Sequence, residues 1–123
     1  MKMKYKLDDT KPIFLQIKEN IEDSIIGGSL NAGDKVPSTN EFAAYYQINP
    51  ATAAKGVNEL VAEHILFKRR GVGMFVTENA KELLVTKHKA RFYKEYIQPL
   101  KEAAEKLDIK EAELMDMLKK EDS

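Results

Sequence analysis

The chain has 123 residues, enough for one domain with its own hydrophobic core plus an attachment, and too few for two sizeable cores. It contains no cysteine, which excludes disulfide stapling, thiolate chemistry and the best zinc ligand, and no apolar run approaches the roughly 18 residues of a membrane span. Lysine and arginine, 20 residues together, offset 20 aspartates and glutamates, so total charge gives no support to a nucleic-acid partner. The distribution says more. Lys68, Arg69 and Arg70 stand between His64 and Val76 with no acidic residue among them, whereas the tail after Glu111 is acid-rich. The opening "MKMKYKLDDTK" is too polar for the apolar core of a signal peptide, and a cytoplasmic protein without membrane association is expected.

In "YKLDD", Tyr5 and Leu7 alternate with lysines and suggest a short strand. Helix signals begin at Pro12, which suits a first helical position because its missing N–H would have had no partner there. Ile13, Ile17, Ile21 and Ile25 fall at four-residue spacing and mark a buried stripe, with Phe14 beside it and Gly27-Gly28 as the stop. In the connector "GGSLNAGDKVP", Leu30 and Val36 are placed to plug the core. Ser38 opens a short second helix, Glu41 completes a capping box, and Phe42, Ala43 and Tyr46 supply the apolar side. The turn is "QIN", pinned by Ile48. Asn49 is a good N-cap and Pro50 a good first residue for a third helix from Pro50 to Ala62, with Ala53, Val57, Leu60 and Val61 facing inward. Two short helices joined by a tight turn form a helix-turn-helix.

In "HILFKRRGVGMFV", two apolar runs flank "KRRGVG", where Gly71 and Gly73 can supply the positive backbone angles of a tight hairpin. This is a basic wing, and His64 before it is expected to cap the last carbonyls of the third helix. From Asn79 the pattern becomes a long amphipathic helix through Leu107, kinked at Pro99, whose ring removes a helical hydrogen bond. Asp108 with Glu111 signals a capped last helix through Met115 and Leu118. The expected architecture is α+β: a winged helix-turn-helix of three helices and a β-hairpin over residues 1–77, then a C-terminal helical region over residues 78–123. Helices appended to a complete small domain need another surface for their apolar faces, and a second copy of the chain is the economical choice.

"PIFLQIKENIEDSIIGGSLNAGDKVPSTNEFA" and "INPATAAKGVNELVAEHILFKRRGVGMFV" together resemble the DNA-binding domain of the GntR family of bacterial transcription regulators. The matching positions are Pro12, Gln16, Gly28, Leu30, Gly33, Pro37, Ser38, Glu41, Ala43, Gly71, Gly73, Phe75 and Val76. Asn49, Pro50 and Thr52, together with the short tail, are similar to the YtrA-like branch, whose members dimerise through two C-terminal helices. Two positions depart from the general pattern: Asn40 and Pro50 stand where arginine is common. Arginine makes the commonest base-specific contact, whereas asparagine suits adenine and proline donates nothing, so the resemblance implies a different or less tightly held operator.

The resemblance and the predicted elements imply a sequence-specific regulator, a repressor acting on a pseudo-palindromic operator as a homodimer. Ser38, Thr39, Asn40, Asn49, Ala51, Thr52, Lys55, Lys68, Arg69, Arg70 and Gly71 are expected at the DNA. Thr52 and Asn40 would approach base edges, Ser38, Lys55 and Arg69 or Arg70 would position phosphates, and Gly71 would let the wing come close. Leu83, Ala90, Tyr93, Ile97, Leu100 and Leu107 are expected at the dimer interface. No cofactor, metal or catalytic set is expected: His64 and His88, the only imidazoles, lie on different elements, and "GVG" joins two strands instead of opening a helix. The tail leaves little room for a dedicated effector cavity, so a small-molecule effector, unidentified, is left only a pocket at the dimer interface. The rival reading is a winged-helix module that binds protein and never DNA, distinguished by apolar exposure on residues 49–55 and the wing.

Overall fold

The isoleucine repeat forms helix α1 (Ile13–Ile26) in the computed structural model, which describes residues 7–122. Ile17, Ile21 and Ile25 are buried as the spacing requires, whereas Ile13 stays partly exposed. Pro12 is the N-cap itself, one position earlier than expected, its carbonyl accepting from the Leu15 and Gln16 amides. Of the predicted early strand, Tyr5 lies outside the described residues; Leu7 rests on the core, and the chain turns at residues 9 and 10. Buried Gln16 holds this segment down: its amide oxygen accepts from Asp8 N at 2.7 Å, and its amide nitrogen donates to the carbonyls of Asp8 and Lys11 at 2.7 and 2.9 Å.

Helix α2 (Thr39–Tyr46) and helix α3 (Pro50–Ala62) are joined by Gln47 in the left-handed region, φ 54°, with the Ile48 amide donating to Ala43 O at 3.0 Å. Both pack on a core centred on Ile17, Ile21, Phe42, Val57 and Leu60. Asn20 Nδ2 donates to the Tyr46 hydroxyl at 3.2 Å and ties α1 to α2. Between α1 and α3, a Cβ on buried Gly56 would lie 2.5 Å from Phe14 O, so the helices touch backbone to backbone there. The far end of the same interface is an ion cluster in which Lys18 Nζ meets Glu63 and, at 3.3 Å, Glu59. Burial pulls the pKa of this ammonium down, but the two carboxylates more than offset it and leave the group above its ordinary value.

Strands β1 (Leu66–Arg69) and β2 (Gly73–Val76) form the antiparallel hairpin, with Leu66 opposite Val76 and Arg69 opposite Gly73. The turn needs a positive φ at its third position, and Gly71 supplies it at 77°. The connector also pairs with the wing. Gly33 N donates to Val76 O, Val76 N to Asp34 O and Val36 N to Met74 O, at 2.9 to 3.0 Å, making residues 33–36 a third strand-like edge. His64 ends α3 with its backbone: at φ 63° it allows the Ile65 amide to reach Leu60 O, and Thr77 Oγ1 donates to His64 O at 2.7 Å.

Helix α4 (Ala80–Phe92) starts within the first of two compact units, Met1–Val85, where Ala80 and Leu84 complete the core. The second unit, Thr86–Ser123, carries the end of α4, a π-helical turn (Tyr93–Ile97), α5 (Gln98–Lys106) and α6 (Glu111–Lys119). The π turn answers the Pro99 problem. The Gln98 amide donates to Tyr93 O, five residues back, so the ladder widens before the proline that cannot donate. The expected capping box at Asp108 is replaced by a different ending. Asp108 adopts φ 55° and closes α5, with Ile109 N reaching Ala104 O at 2.8 Å, and Lys110 is the N-cap of α6. Aspartate tolerates the left-handed region well enough to serve as a helix stop, and that role wins here.

Candidate nucleic-acid interface

The start of α2 is fixed by a capping box. Ser38 Oγ accepts from Glu41 N at 3.0 Å, and Glu41 Oε1 accepts from Ser38 N at 3.1 Å. The bond from the Ser38 backbone, followed by that from its side chain, holds the Glu41 carboxyl below its ordinary range. A depressed folded pKa means this contribution is present above the unfolded value of about 4.3 and lost as pH falls through the folded one. With the cap so fixed, Asn40 is exposed and Thr39 half-buried on the first turn. Ser38→Ala should cost about 1 kcal/mol by removing the cap acceptor; urea denaturation at neutral pH reads this, and an unchanged midpoint would show that the box does not hold α2.

The start of α3 is fixed as firmly. Asn49 Oδ1 accepts from Ala51 N at 2.8 Å, and Pro50 occupies the first turn, so Asn49 is engaged as a cap. Ala51, Lys55 and Asn58 form an exposed stripe, with Thr52 half-buried beside it and Ala53, Gly56, Val57 and Leu60 on the buried face. The Lys55 ammonium lies 3.9 Å from the centroid of the Phe14 ring, a cation–π contact that anchors it above the start of α1. Sequence spacing predicts the exposure of Lys55, but its partner lies 41 positions away in the chain and nothing local announces it.

The wing carries Lys68, Arg69, Arg70 and Gly71, all exposed. Arg69 and Lys68 belong to β1, and only Arg70, Gly71 and Val72 make the tip, closed by Val72 N donating to Arg69 O at 2.9 Å. The Arg69 guanidinium lies 5.4 Å from the Phe75 centroid, and Phe75 stacks with Phe67 at 5.8 Å. One cation escapes a reading of local motifs: Lys35 of the connector pairs with Phe75 and so belongs to the wing. Among the described residues, no group of three His, Cys, Asp or Glu is arranged to hold a metal, and no helix is long and apolar enough to cross a membrane.

Of the expected interface residues in the tail, Leu83, Ala90, Tyr93, Leu100 and Leu107 are exposed and Ile97 is half-buried. Phe92 and Tyr96, whose rings lie 5.3 Å apart, are exposed as well. Within the second unit a groove of about 540 Å³ is lined by Lys101, Ala104, Glu105, Ile109 and Leu114 among others.

Known proteins share this arrangement. The chain is 39% identical over 74 residues to the HTH-type transcriptional repressor YtrA of Bacillus subtilis, a match spanning 60% of this chain and 57% of that protein. A GntR family transcriptional regulator from Listeria monocytogenes superposes with a TM-score of 0.77 at 30% identity, covering 94% of this chain and all of that one. The DNA-binding domain of AraR in complex with operator ORX1 superposes with a TM-score of 0.53 at 27% identity, over 62% of this chain and 93% of that one. The model of the bacterial regulatory proteins of the gntR family matches residues 14–76, half of the sequence, and with the capped helix pair and glycine-tipped wing in place the chain belongs to that family.

Proposed function

We propose that this chain is a cytoplasmic transcriptional repressor that binds a pseudo-palindromic duplex operator as a homodimer. Residues 1–77 would read the DNA and residues 78–123 would join two copies. The observation that carries this reading is the doubly capped helix pair, which exposes Asn40, Ala51 and Lys55 beside a wing bearing Arg69 and Arg70. The small Ala51 and Asn58 side chains on the exposed face of α3 let the helix enter a major groove, and Lys55 with the wing cations can neutralise backbone phosphates. YtrA is named a repressor and the AraR domain is seen on its operator, which favours DNA over a protein partner. Thr52 and Asn40 are assigned to base edges, and Ser38, Lys55 and Arg69 or Arg70 to phosphates, while Gly71 brings the tip close to the duplex.

Fluorescence anisotropy with DNA from upstream of the protein's own gene tests the reading, with salt-sensitive binding as the expected result. Lys55→Ala should weaken binding to all duplexes alike, because a phosphate contact carries no sequence preference, and reduce the salt slope by about one unit for each copy on the operator, about two for the dimer. Binding that keeps its slope in this variant would remove Lys55 from the interface. Failure of the wild-type protein to bind any duplex would remove DNA.

A further inference from the structure

The pleat of the wing sorts its side chains. Leu66 and Val76 are buried and Met74 packs on the core, so the opposite face, with Phe67, Arg69, Gly73 and Phe75, turns outward. Lys35 pairs with Phe75 and therefore shares this outer face. Its side chain runs along the strand toward Gly73, where a Cβ would lie 2.8 Å from Lys35 Cε and 3.6 Å from Nζ. Arg69 is the partner of Gly73 on the other strand. The Lys35 stem thus takes the place that a side chain at position 73 would fill, on the same outer face as the Arg69 guanidinium, which lies over the Phe75 ring stacked on Phe67.

We infer that Lys35 and Arg69 form a phosphate seat on the outer face of the wing, which holds the backbone of operator DNA outside the stretch read by α3. The inference rests on the DNA-binding reading above and adds a contact from the connector, which lies outside both the helix pair and the wing tip. The lack of a side chain at Gly73 lets the Lys35 stem lie across β2 and brings its ammonium to the outer face that carries Arg69, and a guanidinium and an ammonium on one face suit a phosphate group better than two separate carboxylates. The phenyl floor packs against deoxyribose without asking for a particular base, so the seat adds affinity and leaves sequence preference unchanged.

The test uses the full chain and a duplex selected by it from a random-sequence library with long flanks, followed by anisotropy at several salt concentrations. Lys35→Met keeps the aliphatic stem and removes the charge. It should lower the salt slope by about two units, one for each copy in the dimer, and weaken binding about fifty-fold near 0.1 M salt, with the two proteins converging as salt approaches 1 M. Lys35→Arg should restore both, and the ranking of duplex sequences should not change. If Lys35→Met keeps the wild-type slope and affinity while Lys55→Ala loses both, the seat is wrong and the DNA-binding reading stands. If the wild-type chain selects no duplex, the DNA-binding reading fails and the seat with it. An acidic peptide that competes for Lys35 and Arg69 without any effect of Lys35→Met on DNA affinity would reassign this face to a protein partner.

Discussion

Leu107→Asp should split the protein into monomers and weaken operator binding at least about a hundred-fold, while leaving the fold of each chain intact. Leu107 is 71% exposed, so a carboxylate there stays in water and costs the isolated chain nothing in burial. In a dimer joined through the tail the same carboxylate would be desolvated without a partner, a penalty of about 3–5 kcal/mol that corresponds to a loss of about two to four orders of magnitude in association. The support for a proposed second copy lies in the second unit itself. Among its described residues Ala104 is the one buried apolar side chain, whereas Phe92, Tyr93, Tyr96, Leu107, Met117 and Leu118 are each at least 45% exposed. A set of helices with so little interior does not hold its faces in water by choice. Joining two recognition helices makes the second contact intramolecular, and losing that linkage costs about two orders of magnitude or more in affinity. Sedimentation equilibrium at micromolar concentration should give twice the 14.0 kDa chain for wild type and a single chain for Leu107→Asp. A wild-type species of one chain would end the dimer reading. Truncation after Val85, which keeps Ala80 and Leu84 in the core of the first unit, should reproduce the monomer and locate the interface in the tail.

The helix pair and the hairpin are legible in the sequence because their boundaries are written in local chemistry. Ser38 with Glu41, Asn49 with Pro50, and Gly71 each solve a backbone problem within a few residues, and the structure uses each in that way. What escapes is set by residues distant in the chain. Lys35 reaches the wing through strand pairing with β2, a contact that neither alternation nor turn residues announce. In the tail, a three-or-four-residue repeat marks Leu83 as the apolar position, yet its neighbour Leu84 is the one sealed in the core of the first unit. Periodicity identifies a stripe, and packing decides which edge of the stripe is covered. The π turn is a third case. Pro99 announces an interruption, but whether the chain bends sharply or inserts a wider turn upstream depends on how the carbonyls before it find donors.

Gly56→Ala should destabilise the first unit by about 2–3 kcal/mol, the opposite sign from the same change on an exposed helix surface, where alanine is favoured by about 1 kcal/mol. In the amino-acid sequence Gly56 looks like a weak spot in a helix whose inward face is Ala53, Val57 and Leu60. In the fold it lies directly against the α1 backbone at Phe14. The added methyl would sit 2.5 Å from the Phe14 carbonyl oxygen, which is backbone and cannot rotate away, and 3.5 Å from Ile17 Cβ. The two helices must therefore move apart, and that movement loosens buried contacts of Ile17 and Ile21 and lifts Phe14 away from the Lys55 ammonium. For a domain of this size the loss corresponds to a fall in Tm of about 10–20 °C. Thermal and urea unfolding of Gly56→Ala beside Ala54→Gly, a half-buried position on the same helix, give the comparison. Ala54→Gly should lose about 1 kcal/mol from propensity alone. A Gly56→Ala protein as stable as wild type would show that α1 and α3 are not held at backbone distance. In that event the placement of Lys55 over Phe14 would lose its support.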